Sequence, residues 1–219
     1  MHLRSMRGYL LVEVMLGMTV MILIGAYLLR QSAQSSHEVS AKIYADNMLK
    51  VREAADSYAV ANKSGIIAAT DGTTPENYCK VNVNPADGTG GTVANNTTKK
   101  TCAVDVTWLI WKGYLPAGFK ETTPEGSRWA AIYRQIDTQT LEGIVVAATT
   151  VGAVTVTPMA TLAKQGSALD KAATLAGINA GIVPDGVSHP CPWHASDNTQ
   201  RFICGTQGAW QAKLSDFVD

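Results

Sequence analysis

The chain has 219 residues, 46% hydrophobic and 16% charged, with 18 basic and 18 acidic side chains and a formal net charge of zero. That length holds one domain, or one domain with an N-terminal appendage, and the apolar share allows a real core. The charged share falls below the usual value of about 25%, and no long block of one sign occurs. The electrostatic basis for nucleic-acid binding is therefore missing.

The first predicted element is an apolar run, Tyr9–Leu29, whose 21 residues carry Glu13 as the single charge. A helix rising about 1.5 Å per residue covers a hydrocarbon core of about 30 Å with that many residues. His2, Arg4 and Arg7 precede the run with no acid among them. The positive-inside rule then keeps the N-terminus cytoplasmic and sends the body outward. A secretory signal peptide is one reading, but its apolar region is about 7–15 residues, shorter than this run. Its cleavage site would follow the run, where Gln31-Ser32-Ala33 offers one well-placed small residue. A plain membrane anchor is a second reading. Neither accounts for the carboxylate, which costs about 2.5 kcal/mol or more near a bilayer centre.

The order Gly8-Tyr9-Leu10-Leu11-Val12-Glu13 resembles the signal of type IV prepilins. The resemblance implies that a membrane prepilin peptidase cuts after Gly8, on the cytoplasmic side. Residues 1–8 are then a leader, Tyr9 becomes the methylated N-terminus, and Glu13 becomes the family's glutamate at the fifth mature position. In a filament, a neighbouring subunit's new amine can lie against Glu13 in a core of low dielectric. Two groups that are costly alone become tolerable when paired. A subunit at the wrong axial height leaves both unpaired, so the acid sets register. Gly17 and Gly25 either permit close helix approach or are ordinary membrane-helix composition.

Beyond the run, Tyr44, Met48, Val51, Ala55 and Tyr58 recur at spacings of four and three, continued by Ala41, Ala59 and Asn62. Lys42, Asp46, Lys50, Arg52, Glu53 and Asp56 lie between them, which predicts an amphipathic helix. No proline interrupts residues 9–63. The expectation is one helix over 9–63, C-capped by Gly65, with Gln31–His37 as the place for a break. His37 reads as a solvated helix residue.

The body is predicted as follows. Residues 65–101 read as loop, with Asp-Gly, Asn-Pro and Gly-Gly signals around Cys79. The sequon Asn96-Thr97-Thr98 lies within it. Asp105 N-caps a short helix, Val106–Lys112, closed by Gly113. Trp129–Ile136 and Leu141–Ala148 form a hairpin across Asp137–Thr140, and Val151–Thr157 adds a third element. Met159–Lys164 and Ala168–Leu175 read as helices, Gly177–Pro190 as loop, and Arg201–Cys204 with Ala209–Leu214 as terminal strands.

Several body motifs resemble the constant N-terminal portion of PilV-type minor pilins, the shufflon family of conjugative thin pili. These are Trp108-Leu109-x-x-Lys112-Gly113-Tyr114-Leu115-Pro116-Ala117-Gly118-Phe119, Gly143-Ile144-Val145-Val146-Ala147, Ala176-Gly177-Ile178-Asn179-Ala180-Gly181, and Gly208-Ala209-Trp210 followed by Leu214-Ser215-Asp216-Phe217. Members carry a further recombination-switched tip segment, and a head without that segment is the expectation for residues up to Asp219. The resemblance implies an α+β fold: a long N-terminal helix packed on a small antiparallel β-sheet head, residues 64–219. It also implies a structural subunit of a type IVb pilus, active in adhesion or cell–cell contact. Its partners would be the prepilin peptidase, a major pilin, other minor pilins and the inner-membrane assembly machinery. The protein would cross the inner membrane once before assembly and then lie in the extracellular pilus. A membrane-anchored periplasmic binding or enzymatic domain, or a type II secretion pseudopilin, is the alternative.

Four cysteines allow three pairings. Cys79–Cys102 and Cys191–Cys204 are favoured, because each pair is local and flanked by loop-forming residues. Each loop contributes about 3 kcal/mol in the chain-entropy model. His189 and His194 with Cys191 and Cys204 offer four zinc-type donors at an unfamiliar spacing. A disulfide similar to the C-terminal loop of pilins is preferred, so no metal and no cofactor is expected. No Gly-x-Ser-x-Gly, Walker or dinucleotide glycine pattern occurs, and no enzymatic activity is expected. Trp108, Trp111 and Trp129 read as core or groove residues before a ligand platform. Trp193 reads as an exposed contact.

Overall fold

The computed structural model describes residues 6–122, 127–151, 156–158, 168–177, 179–182, 202–206 and 209–217. In the first helix, side chains are described at Met15 and from Met18 onward, apart from 33–34 and 36–37. The chain divides into two units, Met1–Ser40 and Ala41–Asp219. The expected helix Met159–Lys164 and residues 183–190 of the expected loop Gly177–Pro190 lie outside the described residues, while Gly181–Ile182 of that loop form a short strand that pairs with a neighbour.

Helix α1 (Met6–Ala61) runs unbroken through Gln31–His37, the stretch where the sequence left room for a break. Ser35 is compatible with the helix because its side chain turns back onto it. Ser35 Oγ donates to the Ser32 carbonyl at 2.9 Å, as Thr19 Oγ1 does to Met15 at 3.0 Å. Such bonds replace the non-helical alternatives these residues otherwise favour.

Asn62 interrupts the helix, and α2 (Lys63–Thr70) follows at once. Gly65 is therefore inside a helix and does not cap one, contrary to expectation. Its role is close approach. A Cβ on Gly65 would fall 2.2 Å from Cε1 of Tyr78, so the missing side chain makes room for the tyrosine ring. The helical path ends instead at Asp71 and Gly72, where Gly72 takes φ +91°, a left-handed angle that glycine adopts without a steric penalty.

The head in Ala41–Asp219 is α+β with antiparallel sheets. A five-stranded sheet has the order β3 (Asn95–Asn96), β4 (Thr101–Asp105), β5 (Arg128–Gln135), β6 (Leu141–Val151), β7 (Val156–Pro158). The hairpin β5–β6 pairs Gln135 with Leu141 and Arg128 with Ala148, around the predicted turn. Residues 65–101, expected as loop, contain α2, the hairpin β1 (Lys80–Val83) with β2 (Gly90–Val93), and β3. Asn84 to Thr89 supply the hairpin end: the Asn84 amide donates to the Thr89 carbonyl at 2.9 Å. Helix α3 (Val106–Trp111) and α4 (Ala168–Ala176) fall where predicted. A three-stranded sheet, β10 (Gln211–Lys213), β9 (Phe202–Gly205), β8 (Gly181–Ile182), closes the chain.

The central strands are buried on both faces, which explains their near-continuous apolar run. Along β5, Trp129, Ala131 and Tyr133 join the layer that contains α1 and α2, while Ala130 and Ile132 join a second layer. Strand β4 splits likewise: Cys102 and Val104 belong to the first layer, Ala103 to the second. Ile203, Leu214 and Phe217 from the end of the chain complete the second layer. The alternation is the period-2 geometry of a strand carried into two cores.

One buried carboxylate ties β1, β4 and α3 together. Asp105 is fully buried. Its Oδ1 accepts from the Trp108 amide at 3.1 Å, the N-cap bond of α3, and from Thr107 Oγ1 at 2.6 Å. Its Oδ2 accepts from the Asn82 amide at 2.9 Å. Asn82 sits at φ +58°, an angle asparagine tolerates better than most residues. Arg128 Nη1 lies 3.9 Å from Asp105 Oδ2. Asp105→Ala strips three donors and a cation of their acceptor and should cost about 2–4 kcal/mol. Urea unfolding of the full-length protein in detergent measures this; an unchanged midpoint would contradict the role.

Candidate functional site

Two regions carry the sequence-derived candidates: the N-terminal part of α1, and the seam where residues 41–70 meet the sheet.

Gly8, Tyr9 and Glu13 all lie within α1. Their side chains are outside the described set. From Met18 to Leu29 the described surface is apolar and exposed: Met18, Val20, Met21, Ile22, Leu23, Ile24, Tyr27, Leu28 and Leu29 all stand open, with Leu29 at 74%. Among the described residues, no helix is long and apolar enough to cross a membrane. The run of 21 residues in the sequence begins at Tyr9, so only its later part falls where side chains are described.

The second half of α1 behaves as its periodicity predicts. Ala41, Tyr44, Val51, Ala55 and Tyr58 are buried, and Met48 and Ala59 pack against them. Lys42, Asp46, Lys50 and Glu53 are exposed on the other side, together with Ile43, Leu49 and Val60. Arg52 and Asp56 form a helix-surface pair at 3.6 Å, worth a few tenths of a kcal/mol.

Two tyrosine hydroxyls fasten this helix. Tyr133 of β5 donates to the Ala55 carbonyl at 2.7 Å. Tyr58 of α1 donates to the Tyr78 carbonyl at 2.7 Å. Tyr114 meets Tyr58 edge-on, with ring centroids 5.3 Å apart, and its hydroxyl accepts from Asn62 Nδ2 at 3.2 Å. At α2, Thr70 Oγ1 bonds Gln135 Oε1 at 2.6 Å, and Asn95 Nδ2 donates to the Ala69 carbonyl at 3.1 Å. Burial, with the neighbouring tyrosines and Asp56 adding to it, pushes the Tyr133 hydroxyl far above its ordinary range. Burial does the same for Tyr58.

The expected disulfide Cys79–Cys102 is present, with Cα atoms 5.2 Å apart. Cys204 of β9 is also disulfide-bonded. Its expected partner Cys191, the donors His189 and His194, and Trp193 lie outside the described residues. No group of three or more His, Cys, Asp or Glu that could hold a metal occurs among the described residues. Trp108 and Trp129 are core, as read. Trp111 is partly exposed, lies over Gly88, and carries the Lys112 ammonium 3.9 Å from its ring centroid. The tryptophan face is thus occupied by the protein's own cation.

Sequence reasoning missed Tyr133 and Tyr78 as helix fasteners. Tyr133 stands 78 residues from Ala55, and no local pattern announces such a bond. The remaining signal was position: Tyr133 shares a strand face with Trp129 and Ala131.

Comparison with protein-family models, curated proteins and solved structures finds no match.

Alkaline pH tests the seam. A tyrosine held neutral in the folded head ionises near pH 10 once unfolded. The folded value is raised, so the stabilisation is complete below pH 10 and is lost as pH rises above it. Head stability should fall by about 1.4 kcal/mol per pH unit for each such tyrosine. Tyr133→Phe should cost about 1 kcal/mol at pH 7 and flatten the alkaline slope by one group. Denaturant midpoints between pH 8 and 11 check both.

Proposed function

We propose that the protein is a structural pilin subunit, of the type IVb minor kind, and that its N-terminal helix is the assembly element. The observation that carries this reading is a single unbroken helix with two different surfaces. Its second half buries a stripe in the head, while Met18–Leu29 presents apolar side chains to the outside. An exposed apolar surface of this size marks a membrane or partner site. The Gly8-Tyr9 junction and Glu13 at its start supply the processing and register functions that an ordinary anchor does not need.

In this reading the protein first lies in the inner membrane, N-terminus in the cytoplasm. Prepilin peptidase removes residues 1–8 and frees the Tyr9 amine. The amine then pairs with a neighbouring subunit's Glu13 inside the filament. The assembly machinery draws the apolar half of α1 from lipid into a core of similar polarity, so extraction costs little hydrophobic energy. The head remains outside, available for contact with a surface or another cell.

Gly8→Arg should block the cut, leaving a chain longer by the leader on a denaturing gel and absent from sheared pili. Unchanged size with normal pili would sink the proposal. Glu13→Ala should insert in the membrane normally yet lower incorporation into sheared pili about tenfold or more, because the buried amine loses its counter-charge. Immunoblots of membrane and pilus fractions read both arms, and undiminished incorporation would contradict the register role.

A further inference from the structure

Cys79 and Cys102 are both 0% exposed. They close in the core layer that α1 and α2 share with β1 and β4. Several contacts hold the helical segment against the residues that flank the bond. Tyr58 donates to the carbonyl of Tyr78, the residue before Cys79, at 2.7 Å. The same carbonyl oxygen lies 3.7 Å from Cys102 Sγ. The Tyr78 ring rests against Gly65 of α2, where a Cβ would come within 2.2 Å. Ile66 and Ala69 of α2, both fully buried, join the same layer. The Cys79 backbone is held as well: its amide donates to the Pro75 carbonyl at 2.7 Å, and its carbonyl accepts from the Ala94 amide at 2.8 Å.

Thiol–disulfide exchange requires a third sulfur, as thiolate, to reach one sulfur of the bond. A bond without accessible surface gives it no approach. We propose that docking of residues 41–70 controls the redox chemistry of Cys79 and Cys102: the pair exchanges with a dithiol–disulfide oxidoreductase or a small thiol only while this helical segment is off the sheet. In formation, the thiolate of one cysteine attacks the oxidoreductase's disulfide. A mixed disulfide forms and one oxidoreductase thiolate leaves. The second cysteine's thiolate then attacks the mixed disulfide and releases the other. Two electrons and two protons pass from the head cysteines to the oxidoreductase, which departs as a dithiol. Reduction by a small dithiol runs the same steps in reverse. Oxidation therefore precedes docking, and the docked head keeps its bond in reducing surroundings. The inference rests on the packing of the head and is independent of pilus assembly.

The test uses the full-length protein in detergent, incubated with dithiothreitol at pH 8 and quenched with iodoacetamide. Peptide masses then report alkylation at Cys79 and Cys102. Reduction of the native protein should be slower than in urea by at least about a hundredfold, since exchange must wait for local opening. Tyr58→Phe and Tyr133→Phe keep both rings and remove one fastening bond each. Each should accelerate reduction several-fold, and the pair about tenfold or more. Lys50→Ala, on the exposed side of the same helix, should leave the rate unchanged. Should the double variant fail to fold, the Tyr133→Phe rate and the native-versus-urea ratio still decide. Native reduction as fast as in urea would overturn the proposal. So would wild-type reduction rates in tyrosine variants whose denaturant midpoint has fallen.

Discussion

The head depends on one seam, the docking of residues 41–70 on the inner face of the five-stranded sheet. The apolar stripe supplies the area, but area alone leaves a helix free to slide or roll. The Tyr133 to Ala55 and Tyr58 to Tyr78 bonds remove that freedom. One reaches from strand to helix and the other from helix to the base of β1, so both axial and rotational settings are fixed. Buried hydroxyls in a dry interface are costly when unpaired, which makes a shifted register unfavourable. With Tyr58 turned inward, Leu49 and Val60, about half a turn round the helix from it, face outward.

The sheet itself is held by a second, smaller constraint. Asp105 ends β4, caps α3 and accepts from Asn82 of β1. A carboxylate without solvent can persist there because every contact is a donor, with Arg128 nearby. The Cys79–Cys102 bond joins the residue just before β1 to β4 alongside it. The β1–β2 hairpin, which would be marginal alone, is thereby secured to the central strands. At the other end, Arg134 bonds Asp216 at 3.0 Å, which fastens the C-terminal turn over the second core layer.

Elements with a strong local period were legible in the sequence. The stripe from Tyr44 to Tyr58 and the hairpin around Asp137–Thr140 are of this kind, and Asp105 announced its helix by cap chemistry. Strand β4 was not legible, because Thr101–Asp105 is short and buried on both faces, which erases the alternation that marks a half-buried strand. The β1–β2 hairpin was hidden by its own turn residues: Asn-Pro, Asp-Gly and Gly-Gly mark loops and hairpin ends alike. Gly65 was misread because its purpose, room for Tyr78, depends on a residue 13 positions further along the chain. The seam hydroxyls were invisible for the same reason at greater separation. The Gly8-Tyr9-Glu13 pattern, by contrast, is wholly local, and only sequence speaks to its role.

On the proposed function, a continuous helix serves the head with one half and assembly with the other, after a cut that creates its new N-terminus. The most direct measurement is the mass of the N-terminal peptide of the mature protein, isolated from cells that carry the processing machinery. The account predicts a chain beginning at Tyr9, its amine methylated. A mature chain that retains Met1–Gly8, or one that begins beyond Leu29, would contradict it.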